Sequence, residues 1–265
     1  MPPLFEFHLT ALDQIVPWGG SDDPNLHWFG LSDGQYWMNV GEAKLFEYDS
    51  AVRASGAPQF CDYQVVRLHE DVVEIVPYVL EEVPLDLRRF INVDFDQAWD
   101  SYWHAWRDLP ESIVSEDEHL DLIEFGTFWQ GQRTLDSLYL SPPANIRLWS
   151  DAECVHIQWN NRDRKFREQL AWTAMVGTYT LTRDAFVEEV LSFHERFMRA
   201  MDERVNEVIA GALPKSIRID IGGLVREQQE RVASVNRSKL MRSPRTDWAQ
   251  AAKAVARLEE LRGLT

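Results

Sequence analysis

The chain has 265 residues, 45% of them hydrophobic and 26% charged, which is typical of one large globular domain or two small ones and gives ample apolar material for a core. It contains 43 acidic and 27 basic residues, a formal net charge of −16, which argues against a general affinity for nucleic acid or for anionic membranes. Two cysteines, Cys61 and Cys154, are too few for a disulfide scaffold or a cysteine-based zinc site, so we expect both to be small buried residues.

The two ends of the sequence carry no targeting signal. The first residues lack the basic region and long apolar run of a secretory signal, and the last five carry no lipidation motif. No run of about 18 apolar residues is present, which is the length that a membrane-spanning helix needs. We therefore expect a cytoplasmic protein without a membrane partner.

The first third of the chain predicts a strand meander followed by a helix. Aromatic and β-branched residues over 26–48 predict three short antiparallel strands, with Asp33-Gly34 as a hairpin turn. Apolar residues at helical spacing then predict an amphipathic helix from Tyr63 to Val76, ended by Pro77. Farther along, Asp94 or Asp96 could cap the next predicted helix, which carries Trp99, Trp103 and Trp106.

The rest of the chain predicts a hairpin and then helices. Alternating runs over 145–149 and 155–159 predict the hairpin, and 172–181 predicts a further strand. Thr182 caps a long helix over about 182–210 that should end at Gly211, and two helical candidates follow over 224–240 and 247–261. The prediction is an α+β fold, with antiparallel strands and hairpins packed against helices in one domain (1–215), and a helical C-terminal extension (216–265) packed on it.

The acidic charge is concentrated in the N-terminal part of the chain. The first 150 residues carry 26 acidic and 8 basic side chains, and the density is highest from Asp94 to Glu124. Trp99, Trp103 and Trp106 lie there at spacings of four and three, so they share one helix face. This pattern is more typical of a helix packed on a core, and it is also the pattern of apolar interface anchors inside a charged rim. Under the second interpretation, the partner-binding residues are Asp96, Trp99, Asp100, Trp103, Trp106, Glu116, Asp117 and Glu118.

The motifs of known catalytic and cofactor sites are missing from the sequence. Glu116-Asp117-Glu118-His119 with Asp121 could hold a divalent ion, but such a run more often begins a helix. There is no Gly-x-Ser-x-Gly elbow and no glycine-rich phosphate loop, and the Gly222-Gly223 pair alone indicates a turn. The basic stretch 161–167 could contact phosphate or an acidic partner, or form a solvated loop. We predict no metal and no cofactor.

Several short phrases together resemble one bacterial family. They are 26–34 (LHWFGLSDG), Tyr36-Trp37, 63–71 (YQVVRLHED), 143–146 (PANI), Trp159-Asn160 and 246–248 (TDW). The chain resembles the domain of unknown function 5984 family over most of its length. The resemblance implies a bacterial cytoplasmic protein and one domain, and it brings no catalytic residues with it.

Three functions of different classes follow from these observations. The first is a non-enzymatic binding protein, specifically an immunity-type inhibitor that uses its acidic, tryptophan-containing surface to neutralise a cationic toxin such as a nuclease. The second is an enzyme or small-molecule binder of unrecognised family. The third is a structural or scaffolding subunit. For the second, the predicted pocket residues are His27, Trp28, Asp33, Tyr36 and Trp37.

Overall fold

The computed structural model describes residues 2–91 and 113–262, and its first sheet is built around one long strand. The strands are β1 (Phe5–Leu9), β2 (Asp33–Val40), β3 (Ala43–Leu45) and β4 (Cys61–Gln64). Strand β2 pairs antiparallel with the other three. Its residues alternate between buried and half-buried, with Tyr36, Met38 and Val40 on the buried face, because successive side chains of a strand point to opposite faces.

The second sheet is antiparallel and has three strands. They are β5 (Ile146–Ser150), β6 (Cys154–Asn160) and β9 (Val176–Thr182), in that spatial order. Along the chain, a small separate hairpin of β7 (Lys165–Phe166) and β8 (Gln169–Leu170) follows β6 and precedes β9. Strands β5 and β6 confirm the predicted hairpin. Strand β5 is buried along its whole length, whereas β9 alternates between exposed and half-buried residues.

Eight α-helices lie in the described ranges. They are α1 (Trp28–Leu31), α2 (Ser50–Ala54), α3 (Val65–Leu80), α4 (Glu116–Gly131), α5 (Arg183–Ile209), α6 (Ile221–Ser234), α7 (Arg237–Leu240) and α8 (Trp248–Arg262). Short 3-10 turns cover Leu12–Gln14 and Arg88–Phe90. Among these residues, no helix is both long enough and apolar enough to cross a membrane.

The long helix α5 lies at the centre of the main core. The Thr182 hydroxyl accepts a 3.3 Å hydrogen bond from the amide of Ala185, which confirms the predicted cap. The apolar stripe of α5 is buried against α3 and both sheets, and Phe193 stacks on Phe5 with ring centroids 5.3 Å apart. Leu224 and Leu240, from the helices after α5, belong to the same core.

The C-terminal helix α8 packs mainly against α4. Val255 joins Trp129 and Trp149 in a second apolar cluster, and Leu258 and Leu261 join Leu122 in a third. The α+β class is therefore confirmed. The division of the chain near residue 215 stays a prediction.

Several local predictions are wrong for identifiable reasons. Trp28 lies in the short helix α1 instead of a strand. Asp33-Gly34 begins β2 instead of forming a turn, and glycine is needed there because a Cβ on Gly34 would lie 2.4 Å from the carbonyl oxygen of His8 on β1. Helix α3 continues through Pro77 to Leu80, where burial of Val79 and Leu80 offsets the missing backbone hydrogen bond.

Two further differences concern the second half of the chain. The predicted helix over 224–240 is two helices, because the chain is extended at Val235 and the side chain of Asn236 caps α7. Cys61 is buried as expected, but Cys154 is only half-buried because it begins β6 beside the turn.

Candidate functional site

The structure gives the predicted partner-binding acids at the start of α4 a local role. The Ser115 hydroxyl accepts a hydrogen bond from the Glu118 amide and caps the helix, and Glu116 and Asp117 lie in its first turn. Glu118 also forms a 2.8 Å ion pair with Arg257 of α8. Within the described ranges, no three His, Cys, Asp or Glu side chains are grouped so that they could hold a metal ion. The remaining predicted partner-binding residues lie outside the described residues: Asp96, Trp99, Asp100, Trp103 and Trp106.

The five predicted pocket residues lie in different environments. Trp28 is fully buried and donates a 2.8 Å hydrogen bond to Gln228, whereas His27 is exposed. Tyr36 is fully buried, and its neighbour Trp37 projects from the other face of β2, where it stacks on Phe60. Asp33 is half-buried at the start of the strand. Of these side chains, Tyr36 belongs to a chain of hydroxyl groups that ends at Asp71.

A cleft of about 660 Å³ lies between α3 and the segment that follows α4. Arg67, Glu70, Asp71 and Glu74 line it from α3, and Asp136 lines it from the opposite side. The α3 residues recur at spacings of three and four, which places them along one helix face. The cleft therefore collects four carboxyl groups and the guanidinium group of Arg67.

Asp71 is the buried carboxyl group of this cleft. Its residue is only 6% exposed, and its Oδ2 accepts a 2.8 Å hydrogen bond from the Tyr139 hydroxyl. Burial raises the pKa of Asp71 to about 7, although the Tyr139 hydrogen bond and the charge of Arg67 act in the opposite direction. A carboxyl group with such a pKa changes its protonation state near neutrality, which is a property of many functional sites.

A chain of hydroxyl groups connects Asp71 to the first sheet. The Tyr36 hydroxyl lies 3.3 Å from that of Tyr139, to which it donates a hydrogen bond. Burial raises the pKa of both tyrosines, and it raises that of the neighbouring Cys61 thiol to about 12, so all three stay protonated near neutral pH. The Tyr139 ring is held by stacking on Tyr63 and by the guanidinium group of Arg67, 5.2 Å from the ring centre. These contacts fix the hydroxyl that points at Asp71.

A second cleft of about 600 Å³ lies between α3 and α6. Glu70 and Glu74 line both clefts. Glu70 is neutralised by Arg231 at 2.8 Å and by Arg67 at 3.6 Å. Glu74 forms no ion pair with any described residue, and neither does Glu230 across the second cleft. The described residues therefore leave the negative charge of Glu74, on the side of α3 shared by the two clefts, unneutralised.

Two histidines form a buried pair beside the second cleft. His69 Nε2 lies 3.0 Å from His194 Nδ1, and His194 Nε2 lies 3.2 Å from the Val232 carbonyl oxygen. Because a carbonyl only accepts, His194 Nε2 carries a proton, and His194 Nδ1 then accepts from His69 Nε2. Burial lowers the pKa of His69 to about 3 and also lowers the pKa of His194, so the pair is neutral near pH 7.

Sequence reasoning missed the Asp71 cleft for a physical reason. The sequence predicts the helix over residue 71, but the charged residues next to Asp71 indicate a solvent-exposed helix face. Its burial depends on Tyr139, 68 positions away, and no local pattern places that residue beside α3. The alternation of β2, which directs Tyr36 inward, was the available signal for one end of the hydroxyl chain.

Comparison with known proteins places the chain in a family but gives it no activity. No curated protein and no solved structure matches it. A family model described as a family of unknown function (DUF5984) matches residues 4–254. The match covers nearly the whole chain, including both sheets and the Asp71 cleft, and the protein therefore belongs to the DUF5984 family.

Proposed function

We propose that this protein binds a cationic side chain of a basic protein partner in the Asp71 cleft. The observation that carries the proposal is the position of Asp71, a buried carboxyl group in the wall of an acidic cleft. An isolated buried carboxylate is unfavourable, and a cation placed beside it offsets that cost. The site is therefore better suited to a ligand with positive charge than to a neutral one.

The surroundings of Asp71 favour a lysine or arginine side chain. Glu74 and Asp136 lie in the same cleft without an ion-pair partner among the described residues, whereas the one cation, Arg67, already contacts Glu70. Ile75 and Tyr78 add apolar and aromatic surface. A long basic side chain buries its methylene groups against such surface while its charged end reaches the carboxylates.

The charge of the whole protein supports the same class of partner. A net charge of −16 attracts a basic protein over distances near the Debye length and accelerates its association. An immunity-type inhibitor of a cationic toxin is the specific form of this function that we propose. The predicted tryptophan anchors lie outside the described residues, so the proposal depends on the Asp71 cleft alone.

The partner is identified by affinity purification of tagged protein from its host at modest ionic strength, followed by mass spectrometry. Three baits are compared: the wild type, Asp71→Asn, and Asp13→Asn as a control for the loss of one carboxylate at an exposed site. We expect a basic protein that is retained by the wild type and the control and lost with Asp71→Asn. A partner lost equally with both variants would indicate diffuse charge attraction and contradict a specific cleft.

Binding of a defined probe tests the site directly. A capped tetra-arginine peptide is titrated into ¹⁵N-labelled protein, and amide shifts around Asp71 and Tyr139 are followed. A bound cation stabilises the Asp71 carboxylate, so affinity should increase about tenfold or less as the pH rises from 6 to 8, with release of a proton. Shift changes confined to residues 115–118, or an affinity independent of Asp71→Asn, would exclude the cleft as the binding site.

A further inference from the structure

Asp151, His156 and Thr180 form a hydrogen-bonded row on the outer face of the second sheet. His156 Nε2 lies 2.9 Å from Asp151 Oδ2, and His156 Nδ1 lies 3.1 Å from Thr180 Oγ1. His156 on β6 is the register partner of Thr180 on β9, and Asp151 lies in the turn that connects β5 to β6. None of these residues lines the clefts beside α3.

The hydrogen bonds fix which atom of each group carries the proton. Asp151 Oδ1 accepts from the amides of Glu153 at 2.9 Å and Cys154 at 2.7 Å, and these bonds with His156 hold the pKa of Asp151 well below its usual range. An ionised carboxylate only accepts, so His156 Nε2 must donate to it. In the neutral ring Nδ1 is then unprotonated and accepts the hydroxyl proton of Thr180.

This arrangement has the three parts of an activated nucleophile. A hydroxyl group donates to a neutral imidazole nitrogen, and a carboxylate orients the imidazole through its other nitrogen. The imidazole is further held by stacking on Trp149, with ring centres 4.3 Å apart. Thr180 itself is exposed, so an external molecule can reach its hydroxyl.

We propose that Thr180 is a nucleophile that accepts the acyl group of a small activated ester, with His156 as general base and Asp151 as a positioning residue. Thr180 Oγ1 forms a bond to the ester carbonyl carbon while its proton moves to His156 Nδ1. The bond from that carbon to the leaving oxygen breaks, and His156 returns the proton to the leaving group. Water then attacks the acyl-threonine by the reverse route, which releases a carboxylic acid and restores Thr180.

The open edge of β9 provides donors for the negative charge that develops on the ester oxygen. In the described part of the chain β9 pairs only with β6, so every second residue of β9 has an N–H group directed away from its partner strand. Backbone N–H groups are common donors to such an oxyanion.

The same strand contains a matched control residue. Thr178 is exposed on the same face of β9, and its register partner on β6 is Gln158 instead of a histidine. A glutamine amide cannot act as a base at neutral pH. Thr178 therefore reports the reactivity of a threonine in the same surroundings without His156, and any loss of the fold would affect both residues.

The test is covalent labelling with a small alkyl fluorophosphonate, whose phosphorus is attacked by Oγ1 with loss of fluoride. Labelled peptides are quantified by mass spectrometry in the wild type, in His156→Gln and in Thr178→Val. We expect Thr180 to be labelled about 100-fold faster than Thr178, since a general base contributes about that factor or more. In His156→Gln the labelling rate of Thr180 should fall to that of Thr178, and in Thr178→Val the rate of Thr180 should stay at its wild-type value. Equal labelling of the two threonines, no labelling of Thr180, or an unchanged rate in His156→Gln would overturn the proposal.

The positioning role of Asp151 is tested by the tautomer of His156, which a loss of stability alone does not change. In the wild type the ¹⁵N shifts of His156 should show an unprotonated Nδ1 and a protonated Nε2. In Asp151→Asn the amide group can donate to Nε2, so the proton moves to Nδ1 and the labelling of Thr180 falls. A tautomer that is the same in both proteins would overturn the positioning role.

Discussion

Tyr139 donates a 2.8 Å hydrogen bond to Asp71 and thereby connects the segment after α4 to the centre of α3. The carboxyl group that it contacts is nearly buried and lies in the wall of an acidic cleft. The bond favours the ionised form of Asp71, whereas burial favours the protonated form and has the larger effect on the pKa. Ligand binding and folding stability are therefore both coupled to the protonation of this one group.

Asp71 should make the protein less stable as the pH rises toward 7. The folded-state pKa, about 7, lies above the usual value of 3.8, so the stabilisation is complete below about pH 4 and is lost as the pH rises through 7. We expect the free energy of unfolding of the wild type to fall relative to that of Asp71→Asn by about 2 kcal/mol between pH 5 and 7. Urea denaturation of both proteins at pH 5, 6, 7 and 8 measures this difference.

Tyr139→Phe is the companion variant for this measurement. It removes the hydrogen bond that lowers the pKa of Asp71, so the pH range of the effect should move upward. If the free energy of unfolding of the wild type, relative to that of Asp71→Asn, stays constant or rises between pH 5 and 7, the assignment is contradicted.

Arg133 should be one of the most important charged residues for stability. Its side chain is fully buried, forms a 3.1 Å ion pair with Glu81 and lies over the Trp248 ring, so it joins the end of α4 to the end of α3 and the start of α8. We expect Arg133→Met to lower the free energy of unfolding by about 3–5 kcal/mol, because it leaves the Glu81 carboxylate without its cation. Guanidinium denaturation at pH 7 measures the change.

The control for Arg133 is Arg89, whose side chain is 68% exposed and pairs with Glu259 at 2.9 Å. An exposed ion pair contributes about 0–1 kcal/mol, so Arg89→Met should have little effect. Equal losses in the two methionine variants would show that the burial of Arg133 does not matter.

Prediction from sequence succeeded where a pattern is local and repeated. The stripe of α5, from Phe186 to Val208, and its Thr182 cap define the longest helix, and the alternation in 145–159 defines the β5–β6 hairpin. Both depend on residues that are close in the chain. The α+β class follows from such elements alone.

Prediction failed where distant residues decide the outcome. Gly34 resembles a turn glycine, but its role depends on the approach of His8 from β1. Pro77 resembles a helix end, but burial of the residues around it keeps α3 continuous. The Asp71 cleft and the Asp151–His156–Thr180 row both join segments separated along the chain, so sequence spacing does not reveal either of them.

His69 should make the protein sensitive to acid. Its folded-state pKa, about 3, lies below the usual 6.5, so the stabilisation is complete above pH 6.5 and is lost as the pH falls toward 3. In His69→Gln the amide can still donate to His194, but it does not titrate. We expect the wild type to lose about 2 kcal/mol more than this variant between pH 7 and 5. Thermal unfolding of both proteins over this range tests the difference.

The control for His69 is His8→Gln, because His8 is exposed on β1. This variant should follow the wild type across the same range. A wild type and a His69→Gln variant with parallel pH profiles would show that His69 takes up no proton on unfolding.

Gly177 and Gly131 should respond to alanine in opposite directions. A Cβ on Gly177 would lie 2.3 Å from the Trp159 ring, which is only 5% exposed and cannot move aside, whereas nothing lies within 4 Å of a Cβ on Gly131 at the end of α4. We expect Gly177→Ala to lower the free energy of unfolding by about 1–3 kcal/mol through overpacking. Gly131→Ala should raise it by about 0.5–1 kcal/mol, because alanine restricts the unfolded chain and favours the helix. Urea midpoints of the two variants measure both effects. A midpoint of Gly177→Ala that does not fall would mean that the packing of Trp159 on β9 does not require glycine, and a fall for Gly131→Ala would contradict the gain expected at the end of α4.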